Sequence, residues 1–277
     1  MSSRVVDLAR NIAVLGGLYL AYAFVRRITA DDHTTAFGNA ARLLDFQNAI
    51  GLPSETMLQY PFLRHPEIIT AANTFYMWVH FPFTAAFLAW AWFRHPRHFG
   101  VIRASLIILT TAGLVLHLIF PLAPPRMLKS VGYIDTGAVF GPSPYDLAAS
   151  SAANQIAAMP SLHVGWALLI AISVIALSRS RFRYLILAHP IITTMVVVVT
   201  ANHYWTDAII AALLVAGSWL FMVRLRNLPV LHFDLHHHDP QPPPPARVDL
   251  VALEQAAKMG VEDLAEFAGA SSVGVDR

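Results

Sequence analysis

The chain has 277 residues, of which 56% are hydrophobic and only 13% charged, with a formal net charge of +2 and a mean hydropathy of +0.53. Soluble domains carry about 25% charged residues, so the composition excludes an ordinary cytosolic globule and describes a membrane protein. The absence of cysteine excludes disulfide frameworks, thiolate nucleophiles and zinc–thiolate sites.

About 20 apolar residues cross a bilayer, and six stretches approach that length. The first runs from Ala9 to Val25, bounded by Arg10 and by Arg26 and Arg27. A cleaved signal peptide is the competing reading. The paired arginines fit a cleavage region poorly, and no small-x-small site follows the apolar run. The second span runs from Ile68 to Phe93 without a charge, the third from Ala104 to Phe120, and the fourth from Pro160 to Leu177. The fifth covers Tyr184 to Thr200, and the sixth covers Tyr204 to Val223 with one acid, Asp207. Backbone polar groups in lipid must be satisfied within the segment, so the expected fold is an all-α bundle of six transmembrane helices.

Orientation follows from the basic residues at the span ends. With the N-terminus inside, the inner ends hold Arg4, Arg10, Arg94, Arg97, Arg103, Arg179, Arg181, Arg183, Arg224 and Arg226. The outer connections hold Arg26, Arg27, Arg42, Arg64, Arg126 and Lys129. The expected topology is therefore N-in and C-in. Two long outer loops result. In residues 29–67, Leu43, Leu44, Phe46 and Ile50 surround the polar Asp45 and Gln47, a pattern for a short interfacial helix before Gly51-Leu52-Pro53. Residues 121–159 are rich in Pro, Gly, Ser and Ala, and loops of that length are functional or disordered.

The net charge averages two unlike parts. Residues 1–226 hold 16 Lys and Arg against 9 Asp and Glu, while residues 227–277 hold 3 against 8. The expected organisation is a membrane catalytic domain over 1–226 and a cytosolic tail over 227–277. The tail has a solvated histidine run (His236, His237, His238), an extended linker from Pro242 to Pro245, and a short helix over Arg247–Phe267. Its acidity offers a surface to a cytosolic partner. The basic residues of the body stand singly at span ends rather than in a patch, which argues against nucleic acid as a partner.

Ionisable groups at membrane depth are costly and mark function. In the N-in topology they gather on one side. Pro160-Ser161-Leu162-His163 opens the fourth span at the outer face. Asn202-His203-Tyr204-Trp205-Thr206-Asp207 lies where the fifth span ends and the sixth begins, and Arg126 and Lys129 lie in the outer loop. His203 and Asp207 are four apart and share a helix face. A carboxylate beside an imidazole fixes its tautomer and leaves the other nitrogen free to attack. His163, from another helix, supplies the second proton-transfer group. Arg126 suits an oxyanion, and the Ser161 hydroxyl and the first amides of the fourth span add donors for a phosphate. Taken singly, each has a plain alternative: Ser161 as a helix cap, His163 as a solvated side chain, Asp207 as an ion-pair partner of Arg126.

At these residues the chain resembles the type 2 phosphatidic acid phosphatase superfamily. The motifs are Ala123-Pro124-Pro125-Arg126-Met127-Leu128, Met159-Pro160-Ser161-Leu162-His163, and His203 to Asp207. The resemblance is closest to the branch of inositol phosphorylceramide synthases and their bacterial relatives, which Asn73, Phe75-Tyr76 and His80-Phe81-Pro82 also resemble. It covers about residues 40 to 224. It implies His203 as the nucleophile on phosphorus, Asp207 as its orienter, His163 as the proton donor to the leaving oxygen, and Arg126 as the holder of phosphoryl oxygens. It also implies a metal-independent site with no cofactor, at the extracytoplasmic face of a bacterial plasma membrane. Three positions depart from the phosphatase form: Ile119 stands for a lysine, Leu162 for a glycine and Val197 for an arginine. Lys129 is the candidate substitute for a missing cation. Tyr76, His80, Asn202 and Tyr204 are candidates for the substrate pocket. His117 and His189 fit no motif and read as structural.

The leading expectation is a lipid phosphatase acting on a lipid phosphate or diphosphate through a phosphohistidine. The alternative is a phosphotransferase that moves a phosphoryl headgroup between lipids. A proton-coupled transporter would need an ionisable path inward, yet Ala208 to Val223 holds no charge. A non-catalytic scaffold presenting the tail would tolerate loss of His203.

Overall fold

The computed structural model describes residues 32–143 and 156–227, with separate positions between 6 and 24. The chain divides into two units, Met1–Phe233 and Asp234–Arg277. The tail segments named above, His236–His238, Pro242–Pro245 and Arg247–Phe267, lie outside the described residues, as does the stretch 144–155 of the second outer loop.

The described part is helical, and its one bridge pairs Leu122 with Ala157. Described positions from Ala9 to Phe24 are helical, and the Asn11 side chain accepts a hydrogen bond from Arg103. Helices α1 (His33–Ala49), α2 (Glu55–Phe62) and α3 (Pro66–Thr74) follow. A π-turn at Phe75–Val79 joins α3 to α4 (His80–Arg94) without a break. Helix α5 is Pro96–Ile119, α6 is the short Thr136–Phe140, and α7 is Leu162–Leu177. A 3-10 segment, Arg181–Leu187, leads into α8 (Ala188–Val199), and α9 is Trp205–Leu225.

Among the described residues, three helical segments are long and apolar enough to cross a membrane: Pro96–Ile119, Arg181–Val199 and Trp205–Leu225. They fall on the third, fifth and sixth expected spans. Leu162–Leu177 is apolar but only 16 residues long. The expected second span contains the π-turn, and its helix extends on both sides of the expected limits.

Two kinds of packing build this unit. Phe87, Ile102, Leu109, Leu169, Val215 and Trp219 form a core shared by α4, α5, α7 and α9. Around it, Phe93, Ile119, Leu185, Leu213 and Phe221 stay exposed, the pattern of side chains that face lipid. Apolar contact alone distinguishes helix from lipid weakly, so interhelical hydrogen bonds matter. The Trp166 indole of α7 donates to Thr110 Oγ1 of α5 at 3.1 Å, a bond of about 0.6 kcal/mol in membrane helices. A second core, with Ala36, Ala40, Leu43, Leu122, Tyr133 and Tyr204, joins α1 to the loop after α5.

Helix α1 is longer than the short interfacial helix expected. It ends where Gly51 takes φ +73°, with Gly51 N–H donating to Asn48 O and Leu52 N–H to Gln47 O. That left-handed turn is why a glycine follows the helix. Asp45, Phe46 and Ile50 are exposed, whereas Gln47 is buried. It faces the protein because it bonds to α2 and α9.

Candidate functional site

The site is built at one end of α7 and in the turn between α8 and α9. Helix α8 ends in the same kind of turn as α1, with Ala201 N–H donating to Val198 O and Asn202 N–H to Val197 O. Here the left-handed position is Ala201, at φ +53°. A residue with a Cβ in that region costs about 1–2 kcal/mol, and such strain gathers at functional sites. Ala201 O accepts from the Arg126 backbone N–H at 2.8 Å, and His203 N–H donates to Val197 O at 3.1 Å. The turn is thus tied to both the arginine loop and the helix it leaves.

His203 is 6% exposed, and Asp207 is wholly buried. Nδ1 of His203 lies 2.8 Å from Ala158 O and 3.2 Å from Asp207 Oδ2. A carbonyl oxygen only accepts, so Nδ1 carries the proton and Nε2 is the bare nitrogen of the neutral ring. Asp207 Oδ2 also accepts from Tyr204 N–H at 2.9 Å. The Ala158 carbonyl is delivered by the loop ends: Leu122 N–H donates to Ile156 O, and Ala158 N–H donates to Leu122 O. His203 sits between the helices rather than in one. Burial pushes its imidazole down to about 4; the bond to Ala158 opposes this, and the nearby Arg126 charge adds to it.

Arg126 is 3% exposed on the 3-10 turn Pro125–Met127. Two prolines precede it (Pro124 extended, Pro125 opening the turn), so the backbone that presents the guanidinium has little freedom. His163 stands in the first turn of α7, its ring 6.3 Å from that of His203. Tyr76 stacks on His163 at 4.3 Å with 23° between the planes. The Tyr76 backbone also hydrogen-bonds His163. Tyr76 lies in the π-turn, the kind of irregularity that frees backbone groups from the helix ladder and recurs at functional sites. His163 Nε2 has no hydrogen-bond partner.

His80 follows the π-turn and is fully buried, its ring 4.8 Å from His163. Neither of its ring nitrogens has a hydrogen-bond partner. His189, read from sequence as structural, lies 5.9 Å from His80 and so borders the same cluster. His117 is buried in α5.

Other expected residues take plainer roles. Ser161 is the N-cap of α7, its Oγ accepting from Val164 N–H, and its own N–H donates to Asp207 O at 3.3 Å. The serine therefore links the two histidine-bearing elements through backbone. Tyr204 is fully buried and donates its hydroxyl to Ala123 O at 2.8 Å. That bond pins the arginine loop. Asn202 donates to Thr200 Oγ1 at 2.8 Å, while its Oδ1 has no partner. Lys129 is exposed on the 3-10 turn Lys129–Val131, outside the buried cluster. Of the departing positions, Val197 is wholly buried in the core and Ile119 is 70% exposed. Leu162 fills space opposite Gly113 of α5, where a Cβ would come within 2.8 Å of its Cδ2.

The sequence reading missed the residues that brace this site from outside. Glu55 and Gln59 of α2 are fully buried, as is Tyr133, at 1% exposure. Gln59 Nε2 donates to Ile134 O and Val199 O, and Gln59 Oε1 accepts from Ile134 N–H. Asn73 donates to Thr136 O and Gly141 O, and Asn39 donates to Pro121 O. Apart from Asn73, which belongs to the resembled stretch of the second span, these buried amides and one buried acid on three short helices carry no motif. Their signal was present only as polar residues recurring at helical spacing, with Glu55 directly after the Ser54 cap. Among the described residues, no group of three or more His, Asp or Glu is arranged to hold a metal ion.

A family model described as the PAP2 superfamily matches residues 41–221. No curated protein and no solved structure matches the chain.

Proposed function

The chain belongs to the PAP2 superfamily, the type 2 phosphatidic acid phosphatase group, and from that premise we propose that this integral membrane enzyme hydrolyses a lipid phosphate or diphosphate through a phosphohistidine at His203. The observation that carries the reading is the fixed tautomer of His203: Nδ1–H is held between Ala158 O and Asp207, and Nε2 is left as the nucleophile.

In the first step His203 Nε2 attacks phosphorus, an N–P bond forms, and the bond from phosphorus to the leaving oxygen breaks. His163 gives that oxygen a proton from Nε2, the nitrogen without a protein partner. Asp207 stabilises the imidazole as it becomes cationic. Arg126 takes the charge that develops on the phosphoryl oxygens, and a water-poor setting strengthens that contact. In the second step water attacks phosphorus, the N–P bond breaks, and His163 takes the proton. No metal enters either step. The site faces the extracytoplasmic side in the N-in arrangement.

One observation favours the transfer alternative. Asp207 is wholly buried, His203 nearly so, and fully buried His80 lies beside His163 with both ring nitrogens unpartnered. A lipid alcohol hydrogen-bonded there would compete well with scarce water for the phosphohistidine.

Phosphorus NMR of the detergent-purified protein in EDTA separates these readings. The substrates are phosphatidic acid, a polyprenyl diphosphate and phosphatidylinositol, each with and without excess lipid alcohol. Inorganic phosphate released by wild type but not by His203→Ala is the expected result. A new phosphodiester only when the alcohol is present would establish transfer. Activity abolished by EDTA and restored by Mg²⁺ would overturn the metal-free mechanism.

A further inference from the structure

The start of α9 is capped partly from outside itself. A helix leaves its first four amides without intrahelical partners, and here three consecutive ones are held by three different helices. Asp207 Oδ2, on α9, takes Tyr204 N–H at 2.9 Å. Glu55 Oε1, on α2, takes Trp205 N–H at 3.0 Å. Gln47 Oε1, on α1, takes Thr206 N–H at 3.2 Å and the Thr206 hydroxyl at 2.5 Å. The last two are joined, since Gln47 Nε2 donates to Glu55 Oε1 at 2.8 Å. The remaining oxygen of Glu55 accepts from the Tyr133 hydroxyl at 2.6 Å.

We infer that Glu55 is a positioning residue for the nucleophile, holding the first turn of α9 so that Asp207 meets His203. The inference rests on the phosphohistidine reading. Its geometric basis is that the amide Glu55 grips is two residues from both His203 and Asp207. A carboxylate suits the positive end of a helix, and its three donors satisfy a charge that could not otherwise be buried. Burial and the neighbouring Glu55 carboxylate both hold the Tyr133 phenol well above its ordinary value, so it stays a donor. The charged and titratable groups facing this corner are Glu55, Tyr133, Tyr204, His203, Asp207 and Arg126. Sequence distance hides the link, because 150 residues separate Glu55 from Trp205.

Two substitutions separate positioning from packing. Glu55→Met fills the same space but accepts no hydrogen bond. Glu55→Gln keeps an acceptor for Trp205 N–H and Gln47. Both are made in the full-length protein, with monodispersity and thermal melting as checks on folding. Glu55→Met is expected to lower kcat roughly 10- to 100-fold with KM little changed, and Glu55→Gln to recover kcat to within about fivefold of wild type. Histidine ¹⁵N NMR is expected to show His203 as the single Nδ1–H tautomer in wild type and Glu55→Gln, and as a tautomer mixture in Glu55→Met. A folded Glu55→Met protein with wild-type kcat and one tautomer would overturn the assignment. Should Glu55→Met fail to fold, Tyr133→Phe removes the donor that holds the other oxygen of the Glu55 carboxylate, with kcat lowered about threefold expected and no change in kcat or tautomer overturning the assignment. A wild-type protein inactive on every lipid phosphate would defeat the functional reading alone, since the tautomer comparison needs no substrate.

Discussion

His203, the proposed nucleophile, shows how little of such a residue is its type and how much is its surroundings. The four-residue spacing to Asp207 was legible because a helix puts such a pair on one face. The second acceptor, Ala158 O, was not: it arrives from 45 residues away on a loop end. Together they fix the proton on Nδ1. Burial then acts on the free energy of the charged ring, and it pushes the imidazole from its ordinary 6.5 down to about 4. The consequence has a definite sign. A neutral ring attacks and a protonated one does not, so activity should fall as pH drops through about 4, with little loss between 7 and 5. The measurement is kcat/KM against pH, corrected for ionisation of the substrate phosphate, because that ratio reports the free enzyme. An acid limb near 6.5 after correction would mean that His203 is solvated or is not the nucleophile. Stability should follow the same direction. The unfolded chain binds the proton first, so the fold loses free energy as pH falls from about 6.5 toward 4.

Helix α7 explains a departure that sequence comparison alone left unexplained. Leu162 stands where the resembled signature has glycine, next to His163, and its side chain needs room. Gly113 of α5 supplies it: a Cβ there would sit 2.8 Å from Leu162 Cδ2 and 3.3 Å from Pro160 Cγ. Gly113→Ala should therefore cost about 1–3 kcal/mol by overpacking, read as a lower melting temperature in detergent. The penalty should largely vanish on a Leu162→Ala background, where Gly113→Ala should add less than about 0.5 kcal/mol. Equal costs on both backgrounds would show that the two positions do not share space. Helix type and the longer apolar segments were legible from composition and period. The compensation was not, because Gly113 reads as one more small residue in an apolar run, and only the crossing of α5 and α7 gives it meaning.

On the scale of the whole chain, the motif residues lie in connections between helices and at helix starts, and much of what braces them lies in α1 to α3. Those short helices contribute Asn39, Gln47, Glu55, Gln59 and Asn73, all buried and all hydrogen-bonded to distant segments. In sequence, a polar residue between apolar neighbours looks the same whether it faces water or a buried partner. The structure separates the two cases: Asp45 is exposed and Gln47 is not. This distribution makes a prediction about the acidic tail. The family match ends at 221, and every residue assigned a part in the site lies between Asn39 and Asp207. The proposed catalytic centre is braced from the N-terminal side by α1 and α2. Removing residues 228–277 should leave kcat/KM on a lipid phosphate within about twofold, since a domain with its own core can fold and work alone. Steady-state kinetics on truncated and full-length protein in the same detergent decide the point. A large loss of kcat on truncation, with an unchanged melting temperature, would give the tail a part in turnover and remove the argument for a self-sufficient membrane unit.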